Sequence, residues 1–170
     1  MKRRRSRQEL TAYHEAGHAV AAVSLCRRLG KVTILPDPEL KSEGHCVLGP
    51  IGKFNADIEW NRRTELKAER DIILFLAGVT AEKIVTGRYP AKMFESSDLR
   101  KVTDLAWRVE GDDEKITAYL RGMQERTKAL LQSPRAWAAV KALASALLED
   151  EEIRPRTARG LITRAMKRHA

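Results

Sequence analysis

The sequence predicts a mainly α-helical domain with a small β element, and three observations lead to that class. Apolar residues return with the helical period in six successive stretches, whereas strand-like runs are confined to two short segments. Leu, Ala, Lys, Arg and Glu abound while aromatic residues make up only 5%, a composition that favours helices over sheets. The length of 170 residues fits one domain with a single core, enough to bury about two thirds of the surface that the unfolded chain exposes.

The first stretch runs from Thr11 to Leu29. Leu10, Tyr13, Ala16, Val20, Ala21, Val23 and Leu25 supply a stripe compatible with a helix, and Ser6 or Thr11 is a candidate cap. Gly17 in its interior costs about 1 kcal/mol against alanine, so a neighbouring backbone is expected to approach closely there. Residues 31–35 (KVTIL) read as a strand, 36–43 as a polar connection with two prolines, and 44–48 (GHCVL) as a returning strand. Residues 49–52 then break the chain. Asn55 or Asp57 is expected to start a helix that reaches Val85, with residues 72–79 buried and Gly87 as its stop.

Ser96, Ser97 and Asp98 open the next helix, whose apolar positions are Leu99, Val102, Leu105, Ala106 and Val109, and Gly111 ends it. Ile116, Tyr119, Leu120, Met123, Thr127, Leu130 and Leu131 mark another. Pro134 begins a helix with Trp137, Val140, Leu143, Ala144, Leu147 and Leu148 on one face. After Pro155, a last helix carries Ala158, Leu161, Ile162, Ala165 and Met166 on its apolar side. All these stripes are expected to be core.

Inside the first helix lies His14-Glu15-Ala16-Gly17-His18, an H-E-x-x-H run. Helical residues four apart share a face with Cβ atoms about 5 to 6 Å apart. Two imidazoles at that spacing can converge on one zinc ion at roughly 2.0 to 2.1 Å. Glu15, one step round the helix, is placed to reach a water on the metal rather than the metal itself, which is the general-base position of a zinc peptidase. The bland alternative is two histidines and a glutamate on a solvated face.

The net charge of +9 sits at the two ends. Residues 1–9 hold five basic and one acidic side chain, and residues 153–170 hold six basic and none acidic, leaving 10–152 nearly neutral. Basic ends serve solubility, nucleic acid, an anionic membrane surface or an acidic partner. Cys26 and Cys46 have no C-x-x-C spacing, which fits a reducing compartment and points to the cytoplasm. With no run of 18 apolar residues, no transmembrane segment is expected. No G-x-x-x-x-G-K-[ST] phosphate loop occurs either, so no ATPase module is expected.

A catalytic zinc needs a third protein ligand and an open position. His45 falls in the second strand and His169 in the basic tail. Glu82, Glu95, Asp98 and Asp104 are acidic candidates, and spacing does not choose among them.

TAYHEAGHAV at 11–20, KVTILP at 31–36, LAGVTAEKIVTG at 76–87 and SSDLRKVTDLA at 96–106 resemble, in that order, the peptidase domain of the FtsH family of ATP-dependent zinc metalloproteases. The resemblance covers about residues 10 to 150. It implies a zincin-like helical peptidase domain with Zn2+ held by His14, His18 and Asp98, and with Glu15 as general base. Glu82 becomes the second choice for the third ligand, its alternative being a solvated helix face. The implied activity is hydrolysis of unstructured polypeptide, with a separate ATPase or other protein as a candidate partner. Rival readings are a peptidase specific for one regulatory protein and a zinc-stabilised binding domain for protein or nucleic acid. The family's membrane anchor and ATPase are not matched, KMFES at 92–96 departs from its pattern, and the Arg-rich C-terminal helix has no counterpart. The expected organisation is a basic arm at 1–9, the peptidase domain at 10–153 and a basic helix at 154–170.

Overall fold

A computed structural model describes residues 5–37, 43–48, 61–91, 93 and 96–169. The described residues form six helices and three short strands: α1 (Arg7–Ser24), β1 (Leu29–Thr33), β2 (His45–Leu48), α2 (Arg62–Thr86), α3 (Ser97–Glu110), α4 (Asp113–Gln132), α5 (Pro134–Asp150), β3 (Glu152–Ile153) and α6 (Pro155–Arg168). The fold is mainly α with a small β element. The break expected at 49–52 and most of the 92–96 segment lie outside the described residues. The helix expected to start at Asn55 or Asp57 starts instead at Arg62, because Asn61 is extended and its side chain accepts from the Arg63 and Thr64 N–H groups.

Local chemistry sets the helix ends. Ser6 caps α1 through a reciprocal pair, with Glu9 N–H donating to Ser6 Oγ at 3.1 Å and Ser6 N–H donating to Glu9 Oε2 at 2.8 Å. Such a cap contributes about 1 kcal/mol. Asn61 caps α2 and Ser96 caps α3, while Gly87 and Gly111 close the same two helices in the left-handed conformation that glycine adopts without strain.

α1 ends at Ser24, short of the expected Leu29. Cys26 takes a left-handed φ of 56°, and Arg27 N–H donates to the Ala22 carbonyl at 2.8 Å, which turns the chain out of the helix. Leu29 is thereby free to begin β1, two residues ahead of the expected start.

The antiparallel sheet has the order β2-β1-β3, with Val32 opposite both Cys46 and Ile153 and Thr33 opposite both His45 and Glu152. β3 is an addition to the two expected strands. Glu151, at φ 56°, turns the chain after α5, and its carbonyl accepts from Ile34 N–H at 2.8 Å. With β3 covering the far side of β1, β2 is left at an edge of the sheet among the described residues.

The core lies where α1 crosses α2 and α5. Ala12, Ala16, Ala19, Val20 and Ala22 are fully buried, a small-residue surface that lets helices approach closely. At Gly17 the approach is closest, because a Cβ there would stand 2.6 Å from the Ala77 carbonyl oxygen. Leu74, Leu131, Leu143, Leu147 and Ile162 are fully buried in the same cluster, each contributing about 1.5 to 3 kcal/mol by leaving water. A second cluster, with Ile72, Phe75, Leu76, Val102 and Met123, joins α2 to α3 and α4. Arg27 reaches the fully buried Asp71 at 2.9 Å, tying the end of α1 to α2.

Several residues of the expected stripes line the margin of the core instead of its interior, among them Tyr13, Leu99, Leu130 and Leu161. Leu148 is 38% exposed. Trp137 is only partly covered and stacks on Tyr13, with ring centroids 6.0 Å apart.

Candidate metal centre

α1 carries His14 and His18 on the side that faces α2, with Glu15 one step round the helix, and α3 brings Asp98 to the histidines from its first turn. His18 Nε2 lies 3.1 Å from His14 Nε2 and 3.2 Å from Asp98 Oδ2, and His14 Nε2 lies 4.0 Å from the same oxygen. A tetrahedral ion with bonds of about 2.0 to 2.1 Å holds its donors roughly 3.3 to 3.4 Å apart. The observed triangle brackets that separation.

The far side of each ring decides its tautomer. His14 Nδ1–H donates to Glu82 Oε1 at 2.6 Å, and His18 Nδ1–H donates to the Leu74 carbonyl at 2.8 Å. Both Nδ1 atoms therefore carry a proton, so that when the rings are neutral both Nε2 lone pairs turn toward a carboxylate oxygen. Three acceptors aimed at one another repel unless a proton or a metal ion lies among them. The donor set suits zinc in number, chemistry and spacing.

Glu82, which the sequence left as a second-choice ligand or a solvated side chain, has neither place. It supports His14 from behind. His45 sits in β2, Asp104 is exposed on α3, His169 is exposed just after α6, and Glu95 lies outside the described residues.

Two further contacts were not anticipated. Lys101 Nζ lies 3.2 Å from Asp98 Oδ1, leaving Oδ2 as the oxygen that faces the histidines, and the same ammonium sits 4.9 Å above the Phe75 ring. Gly78 of α2 passes directly under the imidazoles, and a Cβ there would overlap Nε2 of both His14 and His18. A glycine inside an apolar helix is the signal that could have revealed that approach.

Burial sets the electrostatics, and partners then modify it. For His14, burial opposes the charged form, but hydrogen bonding to Asp98 and Glu82 and the charge of Glu15 outweigh it and push the pKa up to about 10. Asp98 is also buried, which alone would raise its pKa, yet hydrogen bonds from His14 and His18 hold it well below the usual carboxylate range. Burial pushes Glu15 up, with His18 and His14 opposing. Cys46 is raised well above its ordinary value by burial and by the Glu15 and Asp98 carboxylates, so its thiol stays protonated beside the site.

Glu15 is only 6% exposed and lies beneath β2, where a Cβ on Gly44 would come within 3.0 Å of Glu15 Cγ. A buried carboxyl, three converging ligand atoms and an edge strand thus meet in one place.

The profile of Peptidase family M41 matches residues 1–110. ATP-dependent zinc metalloprotease FtsH of Rickettsia felis is 33% identical over 101 residues, covering 58% of this chain and 15% of that relative. FtsH 1 of Symbiobacterium thermophilum is 30% identical over 169 residues, covering 84% of this chain and 27% of the relative. FtsH of Ruminiclostridium cellulolyticum is 34% identical over 106 residues, covering 58% and 15% respectively. The chain thus spans about a quarter or less of the length of these relatives. No helix among the described residues is long and apolar enough to cross a membrane.

Proposed function

Because this chain belongs to Peptidase family M41, we propose that it is a zinc-dependent endopeptidase in which His14, His18 and Asp98 hold the ion and Glu15 is the general base. The observation that carries the reading is the convergence of His14 Nε2, His18 Nε2 and Asp98 Oδ2, with both Nδ1 protons engaged elsewhere. Zinc held there supplies Lewis acidity, polarising a scissile carbonyl and acidifying a water.

The remaining work falls to the chain's own groups. Glu15 takes the proton of the attacking water and passes it to the leaving amine, and burial suits it by strengthening its hold on that proton. Glu82 and the Leu74 carbonyl keep the two imidazoles in register. Among the described residues β2 is an edge strand, which suits an extended peptide because main-chain pairing accepts many sequences.

A peptide must be extended to lie along that edge, so we expect unstructured chains as substrates. The 170 residues contain no phosphate-binding loop. By themselves these residues should then cleave without ATP and leave folded proteins intact. We place the peptidase in residues 10–153, flanked by the basic segments 1–9 and 154–170, and its setting in the cytoplasm.

The test compares zinc content and casein hydrolysis for wild type and Glu15→Gln. The amide keeps the shape of the site but cannot take a proton, so zinc should be retained while hydrolysis falls by about 10²-fold or more. Full activity in the variant would remove the mechanism. Zinc binding without hydrolysis in wild type would favour the binding-domain reading instead.

A further inference from the structure

α6 contributes no residue to the cluster of His14, His18 and Asp98, and it lies beyond the residues that the M41 profile matches. Ala158 and Ile162 are fully buried against the core, with Leu161, Ala165 and Met166 packed beside them. That anchoring fixes the rotation of the helix. Its other side presents Arg156, Arg159, Arg164 and Lys167, with Arg154 and Arg168 at the ends, all exposed.

Residues 153–170 contain no carboxylate side chain. Among the described residues none of these six cations forms an ion pair, and Arg159 instead donates to the Arg27 carbonyl at 3.0 Å. Midway along the face Gly160 has no side chain, and the shallow concavity there is flanked by Thr157, Thr163 and Arg164. From Arg156 to Lys167 the row extends about 16 Å at 1.5 Å per residue.

We propose that this outward face of α6 binds the phosphate backbone of duplex nucleic acid. Four observations select that partner over other acidic ones. Most of the cations are arginines, whose planar forks match phosphate oxygens two at a time. The exposed large apolar side chains of the described residues are Leu35, Leu66, Trp107 and Leu148, so α6 itself carries none. Protein interfaces centre on buried aromatic and apolar anchors, and membrane-surface helices insert an apolar face, but here the apolar face is already spent on the core. Single strands are gripped by stacking on aromatic rings, which α6 also lacks. A straight row of cations with hydroxyls beside it suits a regular phosphate backbone, read without regard to base sequence.

The experiment measures binding of a labelled 20-base-pair DNA duplex to the full chain by fluorescence anisotropy across a salt series. Competitors are the corresponding single strand, a polyglutamate peptide and vesicles containing phosphatidylserine. Wild type should bind the duplex at 50 mM salt whatever its sequence, with a log–log salt slope of about −4. The triple variant Arg156→Gln/Arg164→Gln/Lys167→Gln should bind at least tenfold more weakly, with a slope shallower by about 2 to 3. The control Arg70→Gln/Arg108→Gln/Arg121→Gln, which removes the same charge elsewhere, should stay within twofold of wild type. Arg156→Lys/Arg164→Lys, which keeps the charge but loses the planar forks, should bind more weakly than wild type and more tightly than the triple variant, and thermal melting checks each fold. The inference is overturned if wild type does not bind the duplex, if the control loses as much as the α6 variant, or if any of the three competitors binds more tightly than the duplex.

Discussion

Glu82 on α2 holds Nδ1 of His14 on α1 at 2.6 Å, so a carboxylate 68 residues away in sequence decides which nitrogen of that imidazole is free. Removing such a support typically weakens a metal site 10- to 100-fold. Glu82→Ala should therefore lower zinc affinity by about that factor, and it should also lower the melting temperature of the metal-free chain, where Glu82 stabilises the protonated His14. Competition with a chromogenic chelator measures the first quantity. Affinity equal to wild type would mean that Glu82 does not orient the ring.

Asp98 and Asp104 share α3, but only Asp98 reaches the histidines. Asp98→Ala leaves a two-histidine site and should lose zinc on dialysis, whereas Asp104→Ala should keep it in full. Glu82→Ala should fall between them. Metal analysis after dialysis ranks the three, and equal retention in Asp98→Ala and wild type would remove Asp98 from the ligand set.

Gly78→Ala adds one methyl group under the two imidazoles. The overlap with both Nε2 atoms can be relieved only by moving α2 away from α1 or by turning the rings. Overpacking of this kind costs about 1 to 3 kcal/mol. Urea unfolding of the metal-free variant should show a loss in that range, and zinc binding should fall further than stability does. A variant with wild-type affinity would show that the rings tolerate displacement.

In the metal-free chain burial disfavours charge on His14, but Asp98, Glu82 and Glu15 overcome it and push the pKa up to about 10. The folded value lies above the ordinary 6.5, so the proton adds stability that is fully present below about pH 6.5 and is lost as pH rises through about 10. A metal requires the neutral imidazole, so binding near pH 8 must expel that proton. Zinc affinity should rise toward pH 10 by up to about tenfold per unit. Calorimetry at pH 8 in two buffers of different ionisation enthalpy should find about one proton released from His14. Pure metal binding with no release would contradict the arrangement.

Much of the fold was legible because its signals are local. The apolar periods placed all six helices, and Ser6, Ser96, Gly87 and Gly111 marked helix ends by their own hydrogen-bonding or backbone chemistry. β3 was not legible, since two residues carry no period and their pairing depends on the turn at Glu151. Nor was the early end of α1, where a non-glycine residue, Cys26, takes the left-handed conformation and the apolar pattern runs on past it.

The sequence by itself determined that His14 and His18 share one helix face with Glu15 one step round from them, because four-residue spacing leaves a helix no other choice. It also determined that α6 is apolar on one side and basic on the other. Spacing left Glu82 and Asp98, both acidic and both within helices, without a place, and the tertiary structure put one on each side of His14. The close crossing at Gly17 and Ala77 brings Glu82 to Nδ1 of His14, whereas α3 delivers Asp98 to the Nε2 side. Such placement depends on where separate helices meet, and the distances that describe it join residues far apart in the chain.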